Sequence, residues 1–170
     1  MQLGFLPTCL IAALIPLLVG FIYYNPSVMG NAWMKEAGLK EEQLKNSNMA
    51  VIFGLVFVFS FMLAMTMISL TIHQVSIGSI FQGNPDFGTE GTELNTWYKG
   101  FMAKYGMNFR TFKHGALHGV FSSIFLVLPL VSIISLFERR SWKYVFIHVG
   151  YWAITMALMG GFVCQFFKMG

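Results

Sequence analysis

Residues 111–120 read TFKHGALHGV. His114 and His118 stand four apart, so on a helix their imidazoles share one face with Ser122. A third imidazole, His73, follows another long apolar run. If the runs alternate across a membrane, all three histidines reach the same end of the bundle, and Cys9 and Cys164 come near it. Gly78, Gly115 and Gly119 would leave room beside them. Three imidazoles at one site suit a transition metal or, as axial ligands, a haem. They also suit hydrogen bonds to a quinone or a lipid head group. The plainer reading is the hydrated end of a helix with its histidines bonded to a neighbour. His148 opens the last apolar run at the opposite end and cannot join them.

Other chemistry has little to stand on. All seven carboxylates (Glu36, Glu41, Glu42, Asp86, Glu90, Glu93 and Glu138) fall between the apolar runs, and no Lys or Arg lies deep inside one. Ion-coupled carriers usually hold ionisable groups within the bilayer. There is no glycine-rich phosphate loop, and the fragment HQVSIGSI lacks a supporting triad, so the expectation is a protein that is not an enzyme. The two cysteines, both in apolar surroundings, suggest neither a disulfide framework nor a Cys-x-x-Cys metal site. No block of Lys and Arg is dense enough to suggest nucleic acid.

The elements that would position the histidines are membrane helices. Of 170 residues, 56% are hydrophobic and only 11% charged, against about 25% charged in an ordinary soluble domain. The bilayer is therefore the first partner of this chain. One membrane domain, residues 1–170, is expected, with four spans near 3–24, 48–73, 111–137 and 142–167. The loops between them are 25–47, 83–110 and 138–141. Pro7 and Pro16 should bend span one. Freed carbonyls there could line a cavity, which motivates a small transporter or channel as a further reading. Ser47 is a reasonable N-cap for span two, which can run on past His73 to Phe81. The middle of the first loop, AWMKEAGLKEEQL, suits a short surface helix. In the long loop, Leu94, Trp97, Tyr98, Phe101, Met102 and Tyr105 follow helical spacing, which predicts an amphipathic helix on the bilayer or against the bundle.

Two rows of small residues bear on assembly. Span three carries Gly115, Gly119 and Ser123, and span four carries Ala153, Ala157 and Gly161, each at intervals of four. Such rows let helix backbones approach closely. They predict packing of the two spans on each other or across an oligomer interface, with another membrane subunit or a second copy as partner. Lys35, Lys40, Lys45, Arg139, Arg140 and Lys143 fall at one end, and Lys99, Lys104, Arg110, Lys113 and Lys168 at the other. The short Glu138-Arg139-Arg140 turn is the dense cluster, so it is expected in the cytoplasm, with both termini and the long loop outside.

The stretch GFIYYNPSVMGNAWMKEAGL resembles the signature that follows span one in the membrane proteins grouped as domain of unknown function 1761 (DUF1761). Tyr23 stands where that signature carries Trp. SLFERRSWKYVFIHVGYWAITMALMG is similar to the closing hairpin of that family, and HGALHGVF to the start of its third span. The resemblance implies an all-α, polytopic four-helix bundle. It brings no activity, substrate or catalytic residue. Physically, the signature reads as structure. Asn25-Pro26 ends span one, Gly30 permits a tight bend, and Trp33 and Met34 pack an interfacial helix back on the bundle, although such a loop can also bind. The leading expectation is a non-enzymatic accessory or structural subunit. The alternative is a haem-, metal- or quinone-binding component using His73, His114 and His118.

Overall fold

The computed structural model describes residues 2–45 and 47–169 and is helical throughout, with four helical stretches long and apolar enough to cross a membrane. These run Phe5–Tyr23, Met49–Thr71, Phe112–Phe137 and Trp142–Phe166.

Span one is two helices, α1 (Phe5–Ala12) and α2 (Ile15–Tyr23). Pro16 has no N–H, and its ring displaces the carbonyl of Ala12, so the ladder breaks just ahead of it. The Leu14 N–H turns to the Ile11 carbonyl at 3.1 Å instead. Pro7 bends nothing, because it sits in the first turn of α1, where its missing N–H has no partner to lose. The Pro16 carbonyl accepts from the Tyr151 hydroxyl at 2.9 Å, which ties span one to span four.

Asn25 ends span one as expected. Its side-chain oxygen accepts from the Ser27 N–H at 3.0 Å and opens a π-helical turn over Pro26–Gly30. Gly30 works by close approach, not by bending, since its φ is an ordinary −58°. A Cβ there would lie 2.3 Å from the Tyr24 carbonyl oxygen. The loop helix is split into α3 (Asn31–Ala37) and α4 (Glu41–Lys45) by Gly38, whose φ of +70° closes α3 with a left-handed cap.

Span two is α5 (Met49–Thr71). Its N-cap is Asn48, not Ser47, with Oδ1 accepting from the Val51 N–H at 3.3 Å. The helix does not run on through His73. Ile72 turns extended (φ −115°, ψ 96°), and α6 (His73–Ile80) starts afresh. The amphipathic helix of the long loop is α7 (Glu93–Tyr105), capped by Thr92. Span three is α8 (Phe112–Ser122), a π-helical stretch over Ser123–Val127, and α9 (Leu128–Phe137), with Pro129 at the second position of α9. Span four is the single helix α10 (Trp142–Phe166), capped by the Ser141 hydroxyl.

Spans three and four pack backbone to backbone. A Cβ on Gly115 would lie 2.1 Å from the Gly160 carbonyl oxygen, and one on Gly119 would lie 2.0 Å from that of Met156. Ser123 continues the row, its hydroxyl donating to the Val149 carbonyl at 3.3 Å. The span-three face is thus the expected one, but its partner row on α10 is Met156, Gly160 and Cys164. Ala157 and Gly161 border the contact; the ring of Phe112 covers Gly161. Ala153 is half-buried and is not among the nearest atoms to Gly115 or Gly119. The core adds Cys9, Ala12, Ala64, Met67, Ile68 and Met159 from the rest of the bundle. Outward, large apolar side chains such as Leu18, Phe21, Phe59 and Phe125 are more than 60% exposed. Such a surface suits the hydrocarbon of a bilayer.

Candidate functional site

The helix breaks bring three imidazoles together. The stop at Ile72 makes His73 the first residue of α6. Thr111 caps α8 by accepting from the His114 N–H, which fixes His114 in the first turn and His118 one turn on. Ring centroids lie 5.0 Å apart for His73 and His114, 5.0 Å for His73 and His118, and 4.5 Å for His114 and His118. The Nε2 atoms of His73 and His114 are 3.0 Å apart. One ligating nitrogen from each of the three lies within 4.8 Å of the others. His73 is exposed, and the other two are half-buried.

A single ion fits this spacing. Metal–nitrogen bonds of 2.0–2.1 Å in a tetrahedral site place ligand nitrogens roughly 3.3 Å apart, which small ring rotations here would reach. His73 and His114 do not stand as the axial pair of one haem: axial nitrogens across an iron would stand about 4 Å apart with a macrocycle between them, whereas these two touch at 3.0 Å. Nor do the glycines leave room. Gly115 and Gly119 are filled by the α10 backbone, and a Cβ on Gly78 would lie 2.9 Å from the Tyr98 hydroxyl. Ser122 shares the helix face but spends its hydroxyl on the His118 carbonyl, at 2.8 Å.

The surroundings hold the cluster in place. Phe109 lies against His114 (5.2 Å) and His73 (6.4 Å) with a backbone φ of +61°. Its carbonyl accepts from the Cys164 thiol at 3.4 Å. Arg110 is 6% exposed. Its guanidinium donates to the carbonyl of Cys164 at 2.7 Å and to that of Phe167, capping the last turn of α10. Burial lowers the Arg110 pKa, but the two carbonyls hold the charged form. Gln74, next to His73, donates to the carbonyls of Tyr105 (3.0 Å) and Asn108 (2.8 Å). Leu3 pairs with the chain beyond α10 through two 2.7 Å backbone bonds, which brings both termini to this end. Cys9 and Cys164 are both buried core thiols, unpaired with each other.

At the opposite end, His148 stays apart from the cluster, as expected. Its Nδ1 meets the Tyr24 hydroxyl at 3.1 Å. The signature loop is docked there. Trp33 meets Tyr24 edge to face at 5.3 Å. Arg140 donates to the Ala37 carbonyl at 3.0 Å. The Ser141 hydroxyl donates to Glu36, and Lys143 Nζ stands 3.5 Å from the same carboxylate. Pro26, Gly30, Trp33 and Met34 line a cavity of about 410 Å³. Asn25 is spent on the turn itself.

Four apolar spans joined by short docked helices define the chain as a polytopic α-helical membrane protein. It belongs to the family described as protein of unknown function DUF1761, whose model matches residues 8–164. No curated protein and no solved structure matches it.

Gln74, Phe109 and Arg110 carried no signal in the sequence. Each acts through a partner 31 or more residues away.

Proposed function

We propose that this chain is a membrane protein that binds one transition-metal ion through His73, His114 and His118. The observation that carries the reading is the triangle of imidazole nitrogens within 4.8 Å of one another, built from two helices whose starts are fixed by a backbone break and a cap. Imidazole nitrogens suit Zn, Cu, Ni or Fe(II) and not Mg or Ca. The proposed activity is binding, not turnover. The dense Glu138-Arg139-Arg140 turn supports placing the opposite end in the cytoplasm and the histidines outside, with α7 lying in the interface.

The reading as a homo-oligomer rested on the small-residue rows. Gly115 and Gly119 are used inside the chain, which leaves that reading only the lipid-facing surface. The test is the metal content of protein purified in mild detergent, exposed to Zn²⁺ and freed of excess. One ion per chain is expected, falling to background in His114→Ala and His118→Ala. Equal metal in all three proteins overturns the proposal.

A further inference from the structure

Building on that metal site, we infer that the ion keeps an open fourth position and that the ligand drawn there is a phosphate-class oxyanion. Three protein donors leave one place in a four-coordinate shell, the arrangement of exchangeable sites and not of closed structural ones. Among the described residues, the metal-ligating group holds no carboxylate and no thiolate. The charge of a dication is therefore not neutralised by its ligands.

The protein around the site adds positive potential. His73 is the first residue of α6, whose start has no side-chain cap, and His114 lies in the first turn of α8. Two helices thus begin at this end of the bundle; Thr111 already caps the start of α8, whereas the uncapped start of α6 adds partial positive charge beside His73. Lys113, the residue before His114, is exposed and adds a positive charge at this end of the bundle. The nearby Arg110 guanidinium is spent on the carbonyls of Cys164 and Phe167. Of the acids of the long loop, Glu90 is paired with Lys99 at 3.5 Å. The open side is that of the exposed His73. Because the cluster sits where span two ends and span three begins, that side faces the head-group layer, in which phosphate oxygens are the standing anions.

The same oxyanion chemistry is offered by a phospholipid head group and by free phosphate. The experiment uses the full chain in maltoside, loaded with Co²⁺, whose visible d–d bands report coordination number and ligand exchange. Inorganic phosphate and a soluble short-chain phosphatidylglycerol are titrated separately. The expected result is a saturable shift of the d–d bands. A shift with the phospholipid alone assigns the head group, one with inorganic phosphate alone assigns the free anion, and either supports the inference. Lys113→Gln should weaken the response by up to about fivefold, as loss of one exposed charge does, with Co²⁺ stoichiometry unchanged. Stoichiometric Co²⁺ bands that vanish in His118→Ala but respond to neither anion overturn the open position and leave the metal site standing. Absence of any histidine-dependent Co²⁺ band overturns both.

Discussion

Phe109 holds a φ of +61°, a conformation that costs an L side chain about 1 kcal/mol. Strained residues persist where surrounding contacts over-determine them. Here the ring is set against two histidines, and the carbonyl is held by Cys164. Glu36 shows the same economy at the opposite end. The Ser141 hydroxyl first, and the Lys143 ammonium after it, hold its carboxyl below the ordinary value of 4.5. A carboxyl whose pKa is lowered by folding stabilises the fold above 4.5, and that contribution is lost as pH falls through the lower, folded value. The melting temperatures of the native chain and Glu36→Gln should therefore differ most near neutral pH and converge below pH 4.5. A difference that persists unchanged into acid contradicts the assignment.

At the scale of elements, the joint of α8 and α10 has no slack. A Cβ on Gly119 would meet backbone atoms of Met156 and Ala157 at 2.0–2.7 Å, and backbone cannot rotate away as a side chain can. Gly119→Ala should lose about 1–3 kcal/mol, the usual cost of overpacking. Gly54→Ala, on the lipid-facing side of α5 with nothing within 4 Å, should be neutral or gain up to about 1 kcal/mol in helix propensity. Reversible unfolding of both variants in mixed micelles checks the pair, and equal losses would contradict the packing. The helical stretches 5–23, 49–71, 112–137 and 142–166 end within two residues of the apolar runs, because a long run of apolar side chains without Gly-Pro breaks favours continuous helix. The breaks were less legible. Pro7 and Pro16 are the same residue type, yet only Pro16 falls where a ladder bond is lost. Ile72 has no local reason to turn extended. Tertiary contact fixes its break, through Gln74 bonded to carbonyls at the far end of α7 and just beyond it. The row on α10 was read one residue out of phase, since composition favours Ala153 and Ala157 while geometry needs Gly160.

For the whole molecule, each end has its own work. The signature loop locks onto the start of α10 at one end, and at the other the long loop, both termini and the three histidines close together. All three histidines of the candidate site were named from the sequence: two as the i, i+4 pair on α8, and His73 from the alternation of spans. What was not visible is the register between helices, which decides whether three histidines at one end meet or merely coexist. X-ray absorption at the zinc edge of the Zn-loaded chain tests that register most directly. The account predicts nitrogen scatterers at about 2.0–2.1 Å with imidazole outer-shell features, lost in His114→Ala and His118→Ala. A shell of oxygens alone, unchanged in those variants, would mean that the three imidazoles hold no ion.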